Sequence, residues 1–104
     1  MKNIMICGPK GIGKTTLIHK YLYNCNITEY LYTVGVQILS NDRFSLWETP
    51  FEEISRYIQY VDYVILLSDD STYFPFFKNV PYSTIENNSY STINSFTAIL
   101  EGLS

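Results

Sequence analysis

Eight residues near the amino terminus, Gly8-Pro9-Lys10-Gly11-Ile12-Gly13-Lys14-Thr15, constrain this chain more than anything else in it. They follow an apolar run, residues 2–7, that reads as a buried strand. They lead into residues 14–24, where Leu17, Ile18, Tyr21 and Leu22 recur at helical spacing. The pattern Gly-x-x-x-x-Gly-Lys-Ser/Thr between a strand and a helix is that of a phosphate-binding loop. Its glycines let the backbone close around phosphate oxygens. Successive amides then point inward as an anion nest, and the opening helix adds the positive end of its dipole. In such a loop Lys14 reaches the outer phosphates of a nucleoside triphosphate and Thr15 places its hydroxyl on Mg2+. Gly8, Lys10, Gly11, Ile12, Gly13 and Thr16 complete the expected cradle. Pro9 removes one amide from it, and Lys10 adds a positive charge beside the phosphates.

The remainder alternates in type. Residues 34–39 are rich in β-branched side chains and read as a strand. Residues 40–43 (Ser-Asn-Asp-Arg) carry turn chemistry, and 44–47 read as a second strand, so the pair is expected to form an antiparallel hairpin. Residues 51–60 read as a short helix with Phe51, Ile54, Tyr57 and Ile58 on one face. Residues 63–67 are the cleanest buried strand. Residues 68–79 form an aromatic connection of ambiguous type, broken by Pro75. Residues 80–85 read as a strand and 86–90 as a polar loop. Ser91 or Thr92 caps a last helix that carries Ile93, Phe96, Ile99, Leu100 and Leu103 on one face. This order predicts an α/β fold around a mostly parallel sheet with one antiparallel hairpin, in a single domain spanning residues 1–104.

Composition narrows the function classes. At 104 residues the chain holds one core, and 46% hydrophobic with 16% aromatic residues is a folding composition. Charged residues make up only 16%, which suits a body with adhesive surface or a partner. A net charge of −3 with no basic run argues against a nucleic-acid partner. Cys7 and Cys25 make no metal-like pattern and fit a reducing, cytoplasmic setting. Residues 63–67 are too short to span a bilayer. The first residues read as strand and motif rather than a secretory leader, and the last five hold no cysteine for a lipid anchor.

Once the loop is in place, three further segments carry a resemblance. Residues 13–21 (Gly-Lys-Thr-Thr-Leu-Ile-His-Lys-Tyr) open a helix. Residues 28–36 (Thr-Glu-Tyr-Leu-Tyr-Thr-Val-Gly-Val) and 47–53 (Trp-Glu-Thr-Pro-Phe-Glu-Glu) follow in order, and then come residues 61–67, Val-Asp-Tyr-Val-Ile-Leu-Leu. Over about its first seventy residues the chain resembles a Ras-superfamily small GTPase of the Rab type, shortened and degenerate. The resemblance implies a P-loop NTPase fold, a guanine nucleotide (GTP or GDP) and Mg2+ as cofactors. It makes residues 28–36 the first switch segment, with Thr33 completing the metal shell beside Thr15 and Tyr30 closing over the phosphates. It makes residues 47–53 the second, with Glu48 in place of the metal-side aspartate. Effectors or regulators would bind through residues 30–39 and Trp47.

The sequence also departs from that family. Phe51 stands where the family has a glycine whose backbone approaches the terminal phosphate. Glu52 stands where the family has the catalytic glutamine that orients water, and an ionised carboxylate cannot donate a hydrogen bond. No Asn-Lys-x-Asp base reader exists. Residues 87–90 are its remnant after a strand at 82–85, or else the middle of the fold is deleted and residues 80–82 open the family's last strand, ahead of its final helix at 93–103. The expected function is a GTP-binding switch or decoy with weak or absent hydrolysis. The alternatives are a scaffold that keeps the fold but binds nucleotide poorly, and a P-loop ATPase of another family. Asp69-Asp70 read as loop residues at a ligand-bearing edge, and His19 as an ordinary helix residue. Residues 73–77 (Tyr-Phe-Pro-Phe-Phe) read as core filler or as a partner-binding patch.

Overall fold

Ile4, Met5, Ile6 and Cys7 are each fully buried in a computed structural model of the chain. It describes residues 2–9, 12, 14–22, 29–33, 35–85 and 92–103, with the backbone alone at 29–33 and 92. These four belong to β1, Lys2–Cys7, which pairs in parallel on both sides: with β4, Phe44–Glu48, and with β5, Tyr63–Leu66. A strand flanked in this way has no face open to water, which explains its uninterrupted apolar sequence. β2 (Glu29–Thr33), β3 (Val36–Ser40) and β6 (Tyr82–Thr84) complete a sheet ordered β2-β3-β4-β1-β5-β6 among the described residues. β6 is parallel to β5, while β2–β3 and β3–β4 are antiparallel.

Side-chain alternation along the strands builds two cores. Ile4, Ile6, Phe44, Leu46 and Ile65 face one side, under α1 (Lys14–Leu22) and α3 (Thr92–Leu103). Met5, Cys7, Val64 and Leu66 face the other. That side is covered by α2 (Ile54–Tyr57), which is flanked by 3-10 turns at Phe51–Glu53 and Ile58–Tyr60, and by a 3-10 helix, Ser71–Phe77. The expected hairpin is present as β3 and β4. Its turn is held by Asn41, buried, whose Oδ1 accepts from the amides of Arg43 and Phe44 at 2.8 Å each. Arg43 then ties this turn to both helices on the first face. It donates to both carboxylate oxygens of Glu101 on α3, at 3.0 and 3.2 Å, and to the Tyr21 hydroxyl on α1 at 3.4 Å.

Three elements differ from the sequence expectation. The helix expected over 51–60 is one turn of α-helix between two 3-10 turns. The ambiguous stretch 68–79 contains the 3-10 helix Ser71–Phe77 with Pro75 inside it; that helix type suits a short connection whose proline interrupts α-helical bonding. β2 is an added strand, joined to β3 by two residues. The second of these, Gly35, has φ +76, a conformation that favours glycine in tight hairpins. The expected loops at 24–28 and 86–90, and Ser91 as a cap, lie outside the described residues.

β6 pairs directly with β5, and the next described element, α3, returns to the face of α1, where Phe96 meets Tyr21 edge-on at 5.8 Å between ring centroids. Phe96 is fully buried, and its neighbour Ser95 is exposed. Phe96→Ala is therefore expected to lower unfolding free energy by about 3–5 kcal/mol in chemical denaturation, and Ser95→Ala to change it by less than about 0.5 kcal/mol. Equal small changes would show that α3 is not part of the core.

Candidate phosphate-binding site

The parallel strands β1, β4, β5 and β6 end at one edge of the sheet, where open α/β sheets place their ligands. Cys7 ends β1 there, and the loop to α1 begins. Gly8 is buried against the residue that follows β5: a Cβ at position 8 would lie 3.2 Å from both the Leu67 carbonyl oxygen and Leu67 Cβ. A side chain there would require the neighbour to give by a few tenths of an ångström, so glycine suits this close passage. Ile12 N donates to Pro9 O at 3.3 Å across the loop. Lys14, at the start of α1, turns its ammonium back over the loop and donates to the carbonyls of Gly8 at 2.7 Å and Pro9 at 3.2 Å. Lys10, Gly11 and Gly13 lie outside the described residues.

β4 supplies the opposing group. Glu48 pairs with Ile6 of β1 and continues the side of the sheet set by Phe44 and Leu46, the side of α1. Its Oε1 accepts a hydrogen bond from Thr15 Oγ1. Its Oε2 is buried with no hydrogen-bond partner among the described residues. A buried carboxylate oxygen left in this way is costly, and a divalent cation is one ligand that offsets it. Thr15 and Glu48 thus fit Mg2+, with a hydroxyl and a carboxylate beside a phosphate-binding loop. Thr49 N donates to Ile6 O at 2.9 Å and extends the β1–β4 ladder past Glu48, which fixes the carboxylate's height on the edge.

The structure does not bring the other expected residues to this pair. The Thr33 backbone lies on β2, the edge strand, two strand spacings from β4, which carries Glu48, and three from β1. At the usual strand separation that is roughly 10 Å from β4 and roughly 14 Å from β1. The side chains of Thr33 and Tyr30 lie outside the described residues. Thr16 is exposed on α1, where a shallow hollow of about 460 Å³ is lined by Thr15, Thr16, His19 and Lys20. Glu52 is exposed, and so is Phe51, at 42%. Trp47 is half-buried on the second face, against Tyr57, with its indole N–H donating to Asn3 Oδ1 at 3.4 Å. Asp70 is engaged in capping: its Oδ1 accepts from Thr72 N at 3.0 Å and from the Thr72 hydroxyl at 2.9 Å. These bonds hold its carboxyl below the usual range. Among the described residues no group of three or more His, Cys, Asp or Glu side chains gathers as a metal cage.

No protein-family model matches the chain. In sequence it is 33% identical over 61 residues to Ras-related protein Rab-7b of Mus musculus, an alignment that covers 51% of this chain and 31% of that protein. In structure it aligns with the Arl6 BBS3 small GTPase from Trypanosoma brucei, solved with the bound nucleotide analogue GppNp. The TM-score is 0.52 at 12% identity, covering 98% of this chain and 96% of that one. The fold is that of a Ras-superfamily small GTPase. The sequence match is to a Rab and the structural match to an Arl, so what they have in common is the superfamily fold. Among the described residues no helix is long and apolar enough to cross a membrane.

Within that small-GTPase fold the position before the phosphate loop carries a thiol. Burial pushes the Cys7 thiol up to about 12 from an ordinary 9.0, against the opposing pull of the Lys14 charge. The thiol is thus protonated and shielded in the folded protein. In the unfolded chain it ionises near its ordinary value, so its contribution to stability declines as pH rises above that value towards 12. Iodoacetamide at about pH 8.5, close to the ordinary thiol range, is expected to leave the Cys7 peptide unmodified in the native protein and to label it in denaturant, as read by mass spectrometry. Native labelling as fast as denatured labelling would contradict this placement.

Proposed function

We propose that the chain binds a guanine nucleotide with Mg2+ through residues 8–15 and hydrolyses it weakly or not at all. The observation that supports this most is the Thr15–Glu48 pair at the mouth of the loop, with one carboxylate oxygen buried and unpartnered among the described residues. Lys14 already holds its ammonium over the loop, and phosphate oxygens would replace the Gly8 and Pro9 carbonyls as its acceptors. Mg2+, when bound, neutralises charge on the phosphates; Thr15 and Glu48 are the side chains that would hold it, Glu48 directly or through water. Guanine as the base rests on the likeness to Rab-7b and to a GTPase solved with GppNp.

Weak hydrolysis follows from two residues. Glu52 places a carboxylate where a water-orienting amide would be needed, and an anion there is repelled by the terminal phosphate. Phe51 occupies the position whose backbone would have to approach that phosphate. The role that fits is a cytoplasmic switch or decoy presenting residues 30–39 and Trp47 to effector or regulator proteins. For Thr33 to complete the metal shell, its end of β2 would have to move toward β4.

That distance favours a second reading, a scaffold that keeps the fold and binds nucleotide poorly. Equilibrium titration with fluorescent GTP and ATP in Mg2+ separates the two. The expected result is micromolar GTP affinity, weakened at least roughly tenfold by Lys14→Ala. Binding of neither nucleotide would leave the scaffold, and a preference for ATP would indicate a P-loop ATPase.

A further inference from the structure

Phe51 is exposed by 42%, yet its ring is not loose. It meets Tyr73 edge-on, with centroids 5.2 Å apart at 87°, and Phe76 edge-on at 5.4 Å and 85°. Edge-to-face geometry is the favoured arrangement of aromatic pairs, and two at once fix the ring's direction. Both partners lie on the 3-10 helix Ser71–Phe77, which is itself anchored. Tyr73 and Phe77 are buried with Met5, Cys7, Val64 and Leu66. Phe74 stacks on Tyr82 of β6 at 5.6 Å, and Phe77 meets the same ring at 5.3 Å. A continuous aromatic block thus runs from Phe51 to the edge of the sheet.

The same turn is held from two other directions. The Glu53 side chain fills the space beside Gly35 in the β2–β3 turn, where an added Cβ would stand 2.7 Å from Glu53 Cγ. Arg56 Nε lies 3.4 Å from Glu53 Oε2. Ile54 is fully buried in the second core. Residues 51, 53 and 54 therefore face the 3-10 helix, the β2–β3 turn and the sheet in succession. Moving Phe51 away from the 3-10 helix would break both ring contacts.

We propose that residues 50–60 are a fixed strut rather than a responsive segment, with Tyr73 and Phe76 positioning it through Phe51 whatever occupies the phosphate loop. The nucleotide-dependent part of this inference rests on the reading under Proposed function; the clamp itself does not.

Hydrogen exchange by mass spectrometry on the full chain tests it, without nucleotide, with GDP and Mg2+, and with GppNp and Mg2+. In the nucleotide-free protein, Phe51→Ala is expected to speed exchange at least roughly tenfold both in residues 50–60 and in residues 71–77, and to leave 92–103 unchanged. Phe51→Tyr keeps the ring edges and should restore wild-type exchange, whereas Phe51→Leu keeps the apolar bulk and should not. Wild-type exchange over 50–60 should be the same with GDP and with GppNp. A wild-type difference between the two nucleotides would overturn the proposal, as would Phe51→Ala leaving residues 71–77 unchanged or Phe51→Leu behaving as wild type. If neither nucleotide binds, the reading under Proposed function fails, while the comparison of variants in the free protein still decides the clamp.

Discussion

β1 carries parallel hydrogen-bond ladders on both sides, and the geometry of the phosphate loop depends on them. Through Ile6↔Glu48 the first ladder sets where the acidic side chain stands relative to the loop. Through Cys7↔Leu66 the second sets the close passage of Gly8 past Leu67. A shift of one residue in the first ladder would turn Glu48 to the opposite face, away from Thr15, because strand side chains alternate. The four apolar residues of β1 lock that register by filling two cores at once, Ile4 and Ile6 in one and Met5 and Cys7 in the other.

A small-GTPase fold in 104 residues must cover the second face of the sheet with little chain. Between β5 and β6 that work falls to a seven-residue 3-10 helix. Aromatic side chains make this workable, since each buries a large area from a short length of backbone. Tyr73 and Phe77 point into the core, Phe74 and Phe77 reach Tyr82 at the sheet edge, and Phe76 with Tyr73 reaches Phe51. On the first face the economy is polar instead. Arg43 joins a hairpin turn to two helices with one guanidinium, and the hydrogen bonds from that group hold the Glu101 carboxyl below its usual range.

What could be read from sequence was what local chemistry decides. The strand, loop and helix around Gly8–Thr15, the hairpin around Asn41, and the last helix with Phe96 and Leu100 inward all have motifs or periodicities of their own. β2 did not stand out, because an edge strand is defined by its partner. Its visible signal was the run Glu-Tyr-Leu-Tyr-Thr ahead of Val34-Gly35, a strand followed by hairpin-turn residues. The helical face expected for 51–60 is kept at Ile54, Tyr57 and Ile58, which pack on the second core, and lost at Phe51, which turns to the 3-10 helix; that tertiary contact overrides the helical period at one position. In the site, Thr15 and Glu48 share a hydrogen bond, and the metal role expected of them stays a proposal. The placement of Thr33 follows from the β2–β3 pairing, whose local signal is the hairpin turn after it.

The central claim is that Thr15 and Glu48 face each other in order to hold a cation beside phosphates in the Gly8–Thr15 loop. A crystal structure of the chain grown with GppNp and Mg2+ tests this most directly. The account predicts phosphate oxygens on Lys14 Nζ, Mg2+ on Thr15 Oγ1, and Glu48 turned from the Thr15 hydroxyl toward the metal. A loop without phosphates at saturating analogue, with the Thr15–Glu48 hydrogen bond intact, would contradict it.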